Sequence, residues 1–134
     1  MSFLTRAKAI SENQYATLAS DGIDTADVDT YVDTGCYILN GLLSGDIYGG
    51  LPSNKITAIA GESATGKTFF TLGICKHFLS SHADSNVIYF ESESAITSSM
   101  LKDRDIQTDR FLVVPVTTVQ EFANQCSKII DEYE

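Results

Sequence analysis

Gly61-Glu62-Ser63-Ala64-Thr65-Gly66-Lys67-Thr68 is the stretch on which the reading of this chain turns. It fits G-x-x-x-x-G-K-[ST], the pattern of a phosphate-binding P-loop set between a strand and a helix. Lys55-Ile56-Thr57-Ala58-Ile59-Ala60 reads as a buried strand entering the loop, and Phe69 to Leu79 reads as a helix leaving it. The task of such a loop is to hold several negative charges without water. Successive backbone N–H groups form an anion nest, and the following helix adds its positive N-terminal end. Gly61 and Gly66 permit backbone dihedrals that a Cβ would obstruct. In this pattern Lys67 sets its ammonium on the β and γ phosphates of a nucleoside triphosphate, and the Thr68 hydroxyl ligates Mg²⁺. The plain alternative is a tight turn that carries Lys and Thr by coincidence. The strand and helix on either side argue against it.

Downstream, Val87-Ile88-Tyr89-Phe90 reads as a second strand, β-branched and aromatic. Ile96 to Lys102 has helical character, Asp105 to Arg110 is a polar turn, and Phe111-Leu112-Val113-Val114 is a third strand followed by Pro115. From Thr117 onward Val119, Phe122, Ala123, Cys126, Ile129 and Ile130 recur at helical spacing, with Thr118 as the cap and Glu121 three residues later. Upstream, Tyr37 to Leu43 predicts a short buried helix, while Ser44-Gly45-Asp46 and Gly49 to Ser53 are turn-rich loops. Residues 21–30 form an acidic connector, and residues 3–20 carry a weak helical period. Strands alternating with helices predict an α/β domain with a parallel sheet.

The chain of 134 residues is long enough for one domain with a real core. Its net charge is −9, with 9 Lys and Arg against 18 Asp and Glu, so these residues carry no basic footprint for nucleic acid. Apolar runs are too short to cross a membrane, and Met1 to Arg6 is no secretory leader, so a cytoplasmic location is expected. Cys36, Cys75 and Cys126 are widely spaced and lack any Cys-x-x-Cys pairing, which argues against a metal site or a disulfide framework. His77 and His82 read as solvated or packing residues.

Three blocks stand in order at compatible spacing. Leu42-Leu43-Ser44-Gly45-Asp46-Ile47-Tyr48-Gly49-Gly50-Leu51-Pro52-Ser53 gives a Leu-Ser-Gly and then Gly-Gly approach to the strand and loop. Tyr89-Phe90-Glu91-Ser92-Glu93-Ser94-Ala95-Ile96 is a strand ending in an acidic residue, a small residue and a Glu. Asp105-Ile106-Gln107-Thr108-Asp109-Arg110-Phe111 turns into the next strand. From about residue 32 onward the chain therefore resembles the RecA family of recombinases, above all its phage UvsX branch.

The resemblance implies a RecA-like P-loop NTPase core over 34–134, an incomplete parallel sheet flanked by helices. A helix and linker over 1–33 would precede it and contact a neighbouring subunit. It implies ATP and Mg²⁺ as cofactors, bound by Gly61, Glu62, Ser63, Ala64, Thr65, Gly66, Lys67, Thr68, Phe69 and Met100. It also implies Glu93 and Lys67 as catalytic residues. Met100 stands where bacterial members carry a Tyr stacked on adenine, and Met is polarizable enough to pack on a base. Glu91 stands where the family usually has Asp. On physical grounds Glu93 suits its role, because α/β sheets place ligands at the carboxyl ends of strands. A carboxylate there can orient a water in line with a γ-phosphate. A solvated Glu at a strand end is the plain alternative.

In the family, a strand ending in Asp follows the helix that starts near Thr118, and the DNA-binding loops and a cationic finger come later still. The 111–114 strand ends instead in Val114-Pro115. The chain is therefore expected to be the N-terminal half of a recombinase and to lack turnover alone. It is also expected to fold poorly without a complementing fragment, because the 56–60 strand would lack sheet neighbours. The complete protein is expected to be an ATP-dependent DNA strand-exchange recombinase in recombination and repair. It would form a filament on single-stranded DNA in the cytoplasm of a host cell, if phage-encoded. Two other readings remain: another RecA-like motor, such as a hexameric helicase core, and a non-catalytic nucleotide-binding fragment. Nothing resembles the acceptor site or lid of a small-molecule kinase.

Overall fold

The computed structural model describes residues 2–23 and 26–133. They form two compact units, Met1–Glu62 and Ser63–Glu134. No helix among the described residues is long and apolar enough to cross a membrane.

The first unit opens with α1 (Phe3–Ile10), whose N-cap Ser2 accepts the Thr5 N–H at 3.1 Å. A 3₁₀ turn stands next, at Ala19–Asp21. Then come β1 (Tyr31–Val32), α2 (Tyr37–Ser44) and β2 (Leu51–Pro52). β1 and β2 pair antiparallel, Tyr31 opposite Pro52 and Val32 opposite Leu51. The ladder joins residues that the sequence reading placed on either side of a boundary at 33. Helix α2 forms where the apolar run predicts it and closes on Gly45, whose left-handed backbone (φ 78°) returns its N–H to the Gly41 carbonyl at 3.0 Å. It is not, however, the buried helix expected: Tyr37, Ile38 and Leu42 are exposed, and Asn40 is its one buried residue.

The interior of this unit is polar. Among the described residues its buried ones are Thr34, Asn40, Gly49 and Gly50. Asn40, 0% exposed, accepts from the Thr34 N–H (3.0 Å) and hydroxyl (2.6 Å). It donates to the Asp33 carboxylate (2.8 Å) and the Ile47 carbonyl (3.0 Å). Each capacity of the amide is thus used, which is the condition for burying it without loss. Ser44 plays a related part, donating to the Asn40 carbonyl at 2.9 Å and accepting the Gly50 N–H at 3.2 Å. The two glycines are required by space. A Cβ on Gly49 would lie 2.1 Å from the Ser44 Oγ, and one on Gly50 (φ 135°) 2.0 Å from the Val32 carbonyl oxygen.

The acidic 21–30 segment is largely exposed, as a solvated connector would be, but it is tied down at one end. Asp24 and Thr25 lie outside the described residues, but Asp29 and Thr30 are stitched to the loop after β2. Thr30 donates to the Ser53 hydroxyl at 3.2 Å and accepts the Ser53 N–H at 2.9 Å, and the Asn54 amide donates to Asp29 at 3.0 Å. The 56–60 segment is not the buried strand expected, although it lacks sheet neighbours as expected. It belongs to no sheet and is exposed throughout, Ile56 fully so. Its composition suits a strand, but a strand exists only with a ladder partner, and the described residues supply none.

The second unit contains α3 (Lys67–Ser81), β3 (Val87–Glu91), α4 (Ser98–Asp103), a 3₁₀ turn at Thr108–Arg110, β4 (Phe111–Pro115) and α5 (Val119–Tyr133). β3 and β4 are parallel, with Val87 opposite Phe111 and Glu91 opposite Pro115. α4 lies in the crossover between them, as parallel pairing demands. Alternation along β3 sorts its side chains. Val87 and Tyr89 pack on a core of Leu72 and Leu79 from α3, Leu101 from α4, Ile106 and Phe111. Phe90, of opposite parity, meets Phe122 of α5 edge-on, ring centroids 4.8 Å apart.

Arg110, read from sequence as part of a polar turn, clamps the end of α3. Its guanidinium donates to the carbonyls of His82 (2.8 Å), Ala83 (2.7 Å), Ser85 (3.1 Å) and Leu79 (2.5 Å). A helix end leaves carbonyls without intrahelical partners, and a planar cation with five donors suits them.

The cap expected on α5 is present. The Thr118 hydroxyl accepts the Glu121 N–H at 3.1 Å, and the Glu121 carboxylate accepts the Thr117 N–H (2.8 Å) and hydroxyl (3.1 Å). These bonds, the Thr117 N–H first, hold the Glu121 carboxyl below its ordinary pKa. A lowered carboxyl stabilises the fold above its unfolded pKa and loses that contribution as pH falls through its folded one. The difference in melting temperature between the wild type and Glu121→Gln should therefore be largest near neutrality and shrink in acid. A pH-independent difference would contradict this.

Candidate functional site

The site of interest lies wholly within the second unit, where the start of α3 faces the end of β3. Gly66 is the N-cap of α3, in the left-handed region at φ 92°, and no side chain caps the helix. The fifteen-residue helix thus begins with the orphan N–H groups and positive end that every α-helix presents. Ala64, two residues earlier, is also left-handed at φ 62°. A residue with a Cβ rarely adopts this conformation, and such backbone is found where a loop is shaped for a ligand.

A cavity of about 570 Å³ opens here. Ser63, Ala64, Gly66, Lys67 and Thr68 line one side. Tyr89, Glu91 and Glu93 at the carboxyl end of β3 line the other. The Glu93 N–H donates to a Glu91 carboxylate oxygen at 2.7 Å, and Ser94 takes a left-handed backbone, φ 56°. Burial raises the pKa of the Tyr89 phenol, helped in turn by the charges of Glu91, Cys75 and Glu93. Tyr89 therefore stays a neutral hydroxyl facing two carboxylates. Burial likewise raises the Cys75 thiol, keeping it protonated and unreactive.

The chemistry of this lining is mixed in sign. One ammonium and a helix N-terminus favour an anion, while two carboxylates oppose a bare one. A polyphosphate that carries a divalent cation satisfies both sides, because the cation lies between phosphate oxygens and the acidic edge. No group of three or more His, Cys, Asp or Glu side chains among the described residues could hold a metal ion by itself. A hydroxyl such as Thr68, with ligand oxygens and water, is the kind of partial shell Mg²⁺ accepts.

The structure gathers Ser63, Ala64, Gly66, Lys67, Thr68 and Glu93 around one cavity. Thr65 belongs to the loop but does not line it. Phe69 and Met100 are elsewhere: both line a separate groove of about 680 Å³ between α3 and α4, where the Arg104 guanidinium sits 4.3 Å over the Phe69 ring. Gly61 and Glu62 fall in the first unit, and Gly61 does not use a left-handed backbone. Tyr89 and Glu91 were not singled out as ligand-facing from sequence. The signal was available, since alternation puts both on the side of Val87 that packs toward α3.

No family model matches the chain. Over 97 residues, 72% of its length, the chain is 26% identical to the recombination and repair protein of Enterobacteria phage T4, of which the match covers 25%. The chain thus spans about a quarter of the length of that relative, and its likeness is to a protein of phage recombination and repair.

Proposed function

We propose that Gly61–Thr68 is a P-loop that binds ATP with Mg²⁺, and that the chain is the nucleotide-binding part of an ATP-dependent DNA strand-exchange recombinase of the RecA type. The observation that carries this reading is the cavity itself. The uncapped start of α3, with Lys67 and Thr68, opens onto the Glu91–Glu93 end of a parallel strand. In this reading Lys67 neutralises the terminal phosphates, Thr68 ligates Mg²⁺, and Glu93 orients the attacking water. The similarity to a recombination and repair protein supports placing such nucleotide binding in recombination and repair. With a net charge of −9, these residues are poorly suited to hold DNA, so single-stranded DNA binding is assigned to parts beyond them, while the 1–33 segment is assigned a contact with a neighbouring subunit of the filament.

Titration with a fluorescent ATP analogue tests the site. The Lys67→Ala protein should bind at least about tenfold more weakly, the scale of one charge-assisted contact. Omitting Mg²⁺ should weaken binding to the wild type as well, since Glu91 and Glu93 would then face a bare polyphosphate. Equal affinity of the wild type and Lys67→Ala would remove the loop from nucleotide binding.

One observation favours a more limited reading for these residues alone. β4 ends at Pro115, and among the described residues no strand of the β3–β4 sheet besides β3 brings a carboxylate to the cavity. Binding without turnover is the expected behaviour of the 134 residues by themselves. Measurable hydrolysis by this chain would count against it.

A further inference from the structure

We infer that Glu91 is the positioning residue for Glu93: its carboxylate, bonded to the Glu93 N–H, fixes the turn that presents Glu93 to the cavity beside Lys67 and Thr68. The inference rests on the role given to Glu93 above and deepens it.

β3 ends at Glu91, and the last tie to β4 is made there. The Glu91 carbonyl accepts the Val116 N–H at 2.9 Å, so the backbone of residue 91 is held by the neighbouring strand. Beyond it the chain leaves the sheet and becomes exposed through Ser92, Glu93, Ser94 and Ala95. Ser94 then turns it through a left-handed conformation, φ 56°. Left-handed backbone at a residue with a Cβ is disfavoured and persists only where other contacts impose it. The contact present is the 2.7 Å bond from the Glu93 N–H to the Glu91 carboxylate, a charge-assisted bond across two residues.

The two carboxylates thereby divide their work. Glu91 is half-buried and spends an oxygen on main chain. Glu93 is exposed, and its carboxylate makes no hydrogen bond among the described residues, so it is the one available to a ligand. Both act on the Tyr89 phenol, which places the pair at one end of the cavity. The remaining charged lining group is Lys67 on the facing loop. Removing the Glu91 carboxylate leaves Glu93 chemically intact but releases the turn that aims it.

The test compares the wild type, Glu91→Gln and Glu91→Leu by amide NMR of the whole chain, first without nucleotide. In the wild type the Glu93 amide signal should sit at a hydrogen-bonded position. In Glu91→Gln, which keeps an acceptor oxygen, it should stay there. In Glu91→Leu the hydrogen-bonded shift should vanish and amide exchange at Glu93 should speed up about tenfold, the scale of one lost bond. Unchanged spectra for the core residues Leu72, Leu79 and Phe111 confirm that each variant is folded. ATP with Mg²⁺ is then added. Lys67 should respond in all three proteins, and Glu93 only in the wild type and Glu91→Gln. A Glu93 amide that ignores Glu91 in the first experiment, or a Leu variant whose Glu93 responds to ATP as the wild type does, overturns the inference. Silence of Lys67 in the wild type instead overturns the nucleotide reading, and the first experiment still judges the Glu91–Glu93 link.

Discussion

Alanine at Gly50 should cost the first unit about 3 kcal/mol or more, enough to dissolve its β1–β2 ladder. Two effects add. The backbone at φ 135° is one that side-chain-bearing residues rarely adopt, and the new Cβ would meet the Val32 carbonyl oxygen at 2.0 Å. That oxygen belongs to the strand that pairs with β2, so relief of the clash must part the strands. The Gly50 N–H to Ser44, at 3.2 Å, and through it the surroundings of Asn40, would move as well. Gly45→Ala is the control. Gly45 is also left-handed, φ 78°, but an added Cβ there meets nothing within 4 Å. It should lose only about 1 kcal/mol, the conformational part alone. Amide chemical shifts of Tyr31, Val32 and Leu51 report the ladder directly. Equal behaviour of the two variants would show that collision is not what makes glycine necessary at position 50.

Loss of the Arg110 guanidinium should be the most damaging single change to the second unit outside its apolar core. Arg110→Ala strips donors from the carbonyls of Leu79, His82, Ala83 and Ser85 together, and also from the Gln107 side chain. Several of these oxygens can turn to water, so the sum is far below the gross count of bonds. An effect on the order of 3 kcal/mol is expected. Arg110→Lys should recover less than half, because an ammonium cannot span carbonyls spread around a helix end as a planar fork does. Urea denaturation followed by far-ultraviolet circular dichroism measures both. A Lys variant as stable as the wild type would mean that charge at the helix end matters and the fork does not.

Sequence periodicity located α3, β3, β4 and α5 within a residue or two, because each is long enough to show its period and ends in a turn or cap. Thr118 and Glu121 named the start of α5 for a local reason, since a cap is completed within four residues. What escaped was decided at long range. β1 and β2 have two residues each and pair across some twenty intervening ones, too little for any period to register. Asn40 sits inside an apolar run that reads as a buried helix, yet it is the polar residue that goes inside and the apolar ones that stay out. Arg110 gains its meaning from where α3 stops, far back along the chain at Ser81. The 56–60 segment shows the opposite failure: its residues favour a strand, and a strand is a property of two segments. At the candidate site the loop pattern and the acidic end of β3 were both legible, and the fold brings them to one cavity. Phe69 and Met100 were joined to them by resemblance alone, and they line a different groove.

The polar interior of the first unit bears on how the molecule responds to temperature. Heat capacity rises when apolar surface meets water and falls slightly when polar surface does. A unit whose buried residues are Thr34, Asn40, Gly49 and Gly50 exposes little new apolar surface on opening. Its stability curve is correspondingly flat, with neither a steep loss on heating nor a pronounced decline in the cold. The second unit, built around Leu72, Leu79, Leu101, Ile106 and Phe111, carries the curvature. The two halves of one chain thus answer to different forces: hydrogen-bond geometry sets the first, and the hydration of hydrocarbon sets the second.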